Sequence, residues 1–205
     1  MKTKVLFCVV LMFLCMHQIA YSLEIRPLIE LFAPAKVSVV RDTTGVESEI
    51  HWNTDLVFEG GLELLSTAEF SLMRYGLGVA YKSPQQDDDD KASPAAIPVW
   101  GVISFGSVDE DRFFSPYFVV RVGSLLPLTK DGNWWERPLN FFANGGVGAV
   151  FPYGVGIEVN YDYSSMLKSY ESMDLKYRIS SGRVGVQLSV GFELIRDKVY
   201  APNKE

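Results

Sequence analysis

The residues best suited to catalysis are few and lie close together in one predicted loop. His51 is the only histidine outside the first 22 residues, and Ser48 and Asp55 are near it in the sequence. A hydroxyl nucleophile, a histidine base and a carboxylate are the groups that an acyltransferase or a deacylase would use. A lone loop histidine is weak support for such chemistry, so we predict no catalytic residues and keep a lipid-modifying enzyme as an alternative.

Two other groups of residues could bind a partner. The most acidic run of the chain consists of Asp87, Asp88, Asp89 and Asp90. It lacks the glycine and the spaced ligands of a calcium loop, so we predict a solvated loop tip without a metal. Trp134 and Trp135 lie in a later loop, where they would form either a patch for a protein or glycan or an anchor at a membrane interface.

Residues 1–22 have the pattern of a secretory signal peptide. Two lysines precede the apolar run Val5–Met16, and the small residues Ala20 and Ser22 stand three and one positions before a plausible cleavage point. A run of about 12 apolar residues is too short to cross ~30 Å of hydrocarbon. We therefore predict that the leader is removed and that the protein is exported.

Composition excludes several classes of protein. With 48% hydrophobic and 21% charged residues, the chain is not disordered. A net charge of −6 without a basic stripe argues against nucleic-acid binding. Both cysteines, Cys8 and Cys15, lie in the leader, so the exported chain has no disulfide and no thiolate metal site. No later stretch is long and apolar enough for a membrane-spanning helix.

The rest of the chain alternates apolar and polar residues. The clearest segments are Tyr153–Tyr163 and Arg183–Leu194, and strict alternation is typical of a strand because successive side chains lie on opposite faces. We predict eight strands at 24–33, 56–65, 72–81, 96–106, 115–123, 141–151, 153–163 and 183–194. Each is close to the ~9–11 residues with which a tilted strand crosses a bilayer.

The predicted connections alternate between long and short. The long ones are 34–55, 82–95, 124–140 and 164–182. In outer-membrane barrels the long loops face outward and the short turns face the periplasm, which would place both chain ends in the periplasm. The alternation of lengths therefore favours a membrane barrel.

The alternation alone fits two orientations. In a secreted soluble β-barrel carrying a small apolar ligand, the apolar face would be inside; in a membrane barrel, it would face lipid. The polar positions hold many glycines together with arginines and glutamates, and no lysine, which favours a narrow interior where guanidinium groups pair with carboxylates. The predicted interior ionic network is Arg26, Glu30, Glu59, Glu63, Arg74, Arg121, Glu158, Arg183 and Glu193.

We therefore predict an all-β protein, an eight-stranded antiparallel up-and-down transmembrane β-barrel at 23–194 with a periplasmic tail at 195–205. The ionic network would fill the interior and leave no large pore, since an unpaired buried charge is costly. A narrow gated conduit remains the alternative for the interior.

The stretches 97–106, 115–123, 141–151, 153–163 and 183–194 resemble the small eight-stranded outer-membrane β-barrel families of Gram-negative bacteria. The resemblance implies the cell outer membrane as location, lipid and lipopolysaccharide as neighbours, and no cofactor. It also implies a monomer with a structural or adhesion-like role, in which the long loops contact an extracellular protein or glycan. In these families the last strand commonly ends the chain, whereas here Ile195–Glu205 follows.

Overall fold

The computed structural model describes residues 20–43, 46–54, 56–68, 72–84, 95–106, 113–128, 140–170 and 175–196. These residues form eleven strands: β1 (Ala20–Phe32), β2 (Ala35–Thr43), β3 (Val46–Thr54), β4 (Val57–Ala68), β5 (Met73–Lys82), β6 (Ala96–Gly106), β7 (Ser115–Pro127), β8 (Asn140–Val150), β9 (Val155–Tyr170), β10 (Leu175–Val190) and β11 (Phe192–Arg196). A single 3₁₀ turn, Pro152–Gly154, precedes β9. In this part of the chain, no helix is long and apolar enough to cross a membrane.

Eight of these strands close into an antiparallel barrel. The order around the ring is β1, β4, β5, β6, β7, β8, β9 and β10, and β10 returns to pair with β1. After β10 ends, β11 pairs with the first residues of β1, from Ser22 to Ile25, and completes the wall there. The predicted eight-stranded up-and-down barrel is confirmed, because closure leaves no strand of the ring with a free edge along the bilayer.

The apolar face of the alternation points outward. On β10, Val184 and Leu188 are 53% and 54% exposed, whereas Arg183 and Gln187 are 2% and 1% exposed. The other strands of the ring show the same arrangement: their outward positions are aliphatic or aromatic, and their inward charged residues are buried. A soluble carrier would have the opposite arrangement, so that alternative is wrong. A continuous apolar exterior of this kind is stable only against lipid.

We call the end at which β1 begins and β11 ends the inner end, and the opposite one the outer end. Outward aromatic residues stand near both, including Phe105 and Phe118 toward the inner end and Tyr81 and Tyr163 toward the outer end. Amphipathic and aromatic rings at these two heights form the girdles of membrane barrels.

The predicted loop at 34–55 is instead mostly a hairpin. Strands β2 and β3 pair along their full lengths, and β2 extends the wall by pairing with β10 from Ser181 to Lys176. The predicted loop at 164–182 is likewise largely strand, since β9 runs to Tyr170 and β10 begins at Leu175. Both segments were missed because their residues lack the simple alternation of a strand between lipid and a polar interior.

The two ends of the barrel differ slightly from the predicted bounds. Strand β1 begins at Ala20, inside the predicted leader, and β11 ends at Arg196, inside the predicted tail. Removal of residues 1–22 and a periplasmic tail remain predictions, and residues 197–205 lie outside the described part.

Candidate functional site: the charged interior

The inward positions of the ring carry a buried set of charged residues. Those predicted from the sequence and found buried are Arg26, Glu30, Glu59, Glu63, Arg74, Arg121, Glu158 and Arg183. Glu193 differs: it is exposed and stands opposite Glu24 on β11. It lies at the inner end, where the open end of the barrel no longer encloses an inward residue.

Arg121 of β7 is the centre of the network. Its Nε donates to Glu63 Oε1 at 2.7 Å, and its two terminal nitrogens donate to the oxygens of Glu158 at 2.5 and 3.1 Å. It also donates to Asn144 Oδ1 at 3.0 Å. Because Glu63 is on β4 and Glu158 is on β9, one guanidinium group joins three strands across the interior.

Two aromatic side chains complete the central cluster. The Trp100 indole donates to Glu63 at 3.0 Å, and the Tyr117 hydroxyl donates to Glu158 at 3.1 Å. These donors bond the same two oxygens as Arg121, Glu63 Oε1 and Glu158 Oε2, and so add to the stabilisation of the buried carboxylates. Neither aromatic was among the predicted network residues, although both stand at inward positions of the alternation.

A second cluster lies nearer the inner end. Arg26 donates to Glu24 Oε1 at 2.9 Å, and Arg74 donates to Glu24 Oε2 at 3.3 Å. Both guanidinium groups lie over the Tyr117 ring, at 6.0 and 5.6 Å from its centroid, which is within the range of cation–π attraction. One carboxylate and one aromatic ring therefore contact two arginines.

A third cluster, toward the outer end, contains a residue that sequence analysis placed elsewhere. Lys82 is 3% exposed, its Nζ donates to Asp162 Oδ2 at 2.5 Å, and it lies 4.0 Å from Glu59 Oε2. Its ammonium group also stands 4.7 Å from the centre of the Phe32 ring. The prediction that lysine is absent from the interior is wrong, because the wall continues beyond the end of β5 and encloses this strand-end residue.

The Lys82–Asp162 bond crosses the full width of the barrel. Lys82 is on β5 and Asp162 is on β9, and these strands are four places apart in a ring of eight, so they are diametrically opposed. Asp162 occupies a polar position of the alternation, yet nothing in the local pattern indicated its partner.

Apolar side chains share the interior with the charged clusters. Val57, Leu125 and Phe142 are buried at inward positions near the outer end, and the Phe142 ring packs 5.7 Å from the ring of Trp100. The polar residues Asn140 and Ser164 are buried at this end as well, so apolar and polar side chains are mixed there.

Catalysis by His51 remains an alternative. Ser48 and His51 both lie on β3, where the structure describes the backbone and not the side chains. Asp55 lies outside the described residues, as do the acidic run Asp87–Asp90 and the pair Trp134 and Trp135. Their predicted roles remain predictions.

No protein-family model matches the chain, and no curated protein matches it significantly. Among solved structures, the barrel is similar to the outer membrane protein OprG from Pseudomonas aeruginosa, with a TM-score of 0.52 and 11% identity over 86% of this chain and 97% of that one. Weaker matches are Neisserial surface protein A, with a TM-score of 0.42 and 9% identity, covering 82% of this chain and 97% of that one, and the outer membrane protease OmpT from Escherichia coli, with a TM-score of 0.41 and 8% identity over the same shares. The fold is thus that of an outer-membrane β-barrel, as the resemblance implied.

Proposed function

We propose that the protein is a non-catalytic barrel of the outer membrane whose interior is closed to solutes and whose outer end presents segments to the cell surroundings. Its role is structural or adhesion-like: the barrel anchors the extracellular segments, which contact lipopolysaccharide and an extracellular protein or glycan. The leader and the periplasmic tail are part of this proposal.

The observation that carries the proposal is the set of ion pairs crossing the interior. Lys82 and Asp162 join opposite strands at 2.5 Å, and Arg121 joins Glu63 and Glu158 at 2.7 and 2.5 Å. An eight-stranded barrel is just wide enough for its own side chains. Paired side chains at successive heights therefore leave little room for a solute.

Paired charges also resist opening. Separating a buried pair leaves an uncompensated charge at a cost of about 3–5 kcal/mol. A barrel that conducted solutes through this interior would have to break several such pairs for each passage. That cost supports a closed anchor over a conduit.

The experiment combines solute flux with surface labelling. Proteoliposomes containing the folded barrel should take up small sugars no faster than empty liposomes. A variant carrying Glu63→Ala, Arg121→Ala and Glu158→Ala together removes the central cation with the two carboxylates that it bonds, and it should leak measurably more than the unsubstituted barrel.

The surface role is tested on intact cells. Single cysteines introduced at Ser48 and at Asp88 should react with a membrane-impermeant maleimide, while a cysteine at Thr67, near the inner end, should react only after lysis. Rapid sugar uptake by the unsubstituted barrel, or labelling at Thr67 alone, would contradict the proposal.

A further inference from the structure

Two glutamates stand directly opposite each other in the barrel wall. Glu30 of β1 pairs with Glu59 of β4, and both are buried at inward positions, 3% and 2% exposed. Residues directly opposite on antiparallel strands have Cβ atoms about 4.5–5.5 Å apart, and like charges there are destabilising. If both carboxyl groups were ionised, they would repel each other in an interior that screens charge poorly.

The lysine closest to this pair is engaged with a different carboxylate. The Lys82 ammonium group donates to Asp162 Oδ2 at 2.5 Å, whereas its distance to Glu59 Oε2 is 4.0 Å. Lys82 therefore neutralises Asp162 first and compensates the two glutamates only in part.

The other cations around the pair also stand beside other carboxylates. Arg121 donates to Glu63 and Glu158, and Arg183 stands opposite Asp162 on the neighbouring strand. Gln187, opposite Glu30 on β10, carries no charge. The buried ionisable groups on the strands around the pair are thus Glu63 on β4, Lys82 on β5, Arg121 on β7, Glu158 and Asp162 on β9, and Arg183 on β10.

Three buried oxygens in this region accept no hydrogen bond from the described residues: Glu30 Oε1, Glu59 Oε2 and Asn160 Oδ1. Glu30 Oε1 and Asn160 Oδ1 are neighbours, since a Cβ atom on Gly185 would lie 2.6 Å from the first and 2.7 Å from the second. The Asn160 Nδ2 group donates to Glu158 Oε1 at 3.3 Å, which fixes the amide oxygen as an acceptor. The region therefore has acceptors without donors, an arrangement that is costly to bury.

A single proton supplies the missing donor and removes the repulsion. A protonated carboxyl group carries an O–H donor in addition to its acceptor oxygen. On Glu30, that O–H can donate to Asn160 Oδ1 or to the Glu59 carboxylate. Two carboxyl groups held close together in a protein share a proton for the same reason, because they cannot both be ionised at low cost.

We propose that Glu30 and Glu59 form a proton-binding site that holds one proton between them in the folded barrel at neutral pH. The site neutralises one of two facing carboxyl groups in the wall between β1 and β4. Strand β1 also closes the ring by pairing with β10, so loss of the proton places the repulsion on the strand through which the barrel closes. The site is independent of the surface role proposed above.

Infrared spectroscopy of the folded barrel in detergent micelles detects this proton directly. At neutral pH the C=O stretch of a protonated carboxyl group should be present in the unsubstituted barrel, since exposed carboxyl groups are ionised at that pH. Glu30→Gln should remove the band, because Glu59 then has no like-charged partner opposite it and keeps Lys82 at 4.0 Å. Glu63→Gln is the matched control on the same strand as Glu59, and it should retain the band because Glu63 is the ionised partner of Arg121.

Urea unfolding at a series of pH values measures the same proton by linkage. The unfolded chain ionises both glutamates above about pH 5, so the folded barrel holds one proton more. Its unfolding equilibrium constant should therefore rise about tenfold per pH unit from there until the shared proton leaves. Glu30→Gln should lack this rise, because a glutamine does not ionise.

Three results would overturn the inference: no carboxyl band in the unsubstituted barrel, a band that persists in Glu30→Gln, or the same pH dependence of unfolding in both proteins. A missing band together with stability that increases on addition of Ca²⁺ would also overturn it, and would assign the two carboxylates to a bound cation instead.

Discussion

At the residue scale, the interior shows how an arginine can be buried in a small barrel. The guanidinium group of Arg121 donates hydrogen bonds to Glu63, Glu158 and Asn144. Its N–H groups point in different directions within one plane, so they can reach all three partners. A lysine offers a single ammonium group and could not join the same three partners in that plane. The strength of such clusters lies in pairing the guanidinium group with carboxylates, since each charge by itself would be expensive to bury.

The first prediction follows from this pairing. Arg121→Ala leaves Glu63 and Glu158 buried beside each other without their cation, and we expect it to lower the free energy of unfolding by about 3–5 kcal/mol. Urea unfolding in detergent, followed by the change in gel mobility of the folded barrel, measures the loss.

Val120→Ala, at the neighbouring outward position that is 53% exposed, serves as the matched control. The triple alanine variant of Arg121, Glu63 and Glu158 should be more stable than Arg121→Ala alone, because it does not leave the Glu63 and Glu158 carboxylates buried without the cation that both of them bond. A stability of Arg121→Ala equal to that of the control would show that the cluster does not stabilise the fold.

At the element scale, the strands fit together through differences in side-chain size. Gly78 is an inward residue of β5, and a Cβ atom there would overlap the indole ring of Trp100. The indole is held in place by its bond to Glu63 and by the Phe142 ring. A glycine on one strand therefore makes space for the largest side chain on the next.

The second prediction compares two glycines on neighbouring strands. Gly78→Val should displace Trp100 and destabilise the barrel by about 1–3 kcal/mol, the usual cost of overpacking. Gly101→Val should be neutral or slightly stabilising, because Gly101 is exposed and the closest atom to its added Cβ would be 3.9 Å away. The midpoint of the heat-induced gel shift gives both values, and equal midpoints for the two variants would contradict the packing described here.

At the scale of the whole molecule, the stability of the barrel depends on the apolar face of its strands pointing outward. Outward residues such as Val159, 50% exposed on β9, and Val186, 48% exposed on β10, have no protein layer to cover them. The barrel is stable because lipid covers its exterior while ion pairs fill its interior, which is the reverse of a soluble β protein.

The third prediction tests that orientation. Val159→Arg places a charge in the middle of the outward apolar positions of Val155–Tyr163 and should cost about 2–4 kcal/mol of folding free energy in lipid bilayers, whereas Tyr163→Arg, nearer the interface, should cost about 0–1 kcal/mol. Val159→Leu is the control for changing the side chain without adding charge. Equal costs at the two arginine positions would mean that the outward apolar residues of β9 do not lie in the bilayer as described.

The sequence by itself determined the eight strands of the ring, which of their two faces meets lipid and most of the inward charges. Alternation is a local property, and Arg121, Glu63 and Glu158 stand at polar positions of long alternating segments. Their burial could be predicted because a closed eight-stranded wall encloses every residue on one face.

Tertiary structure alone decided which charges meet and where the wall ends. Lys82 and Asp162 are 80 residues apart and face each other only because ring closure places β5 opposite β9. The same closure leaves Glu193 beyond the enclosed interior and lets β2 continue the wall along β10. These outcomes depend on register and shear between distant strands, which period-two patterns within one strand do not encode.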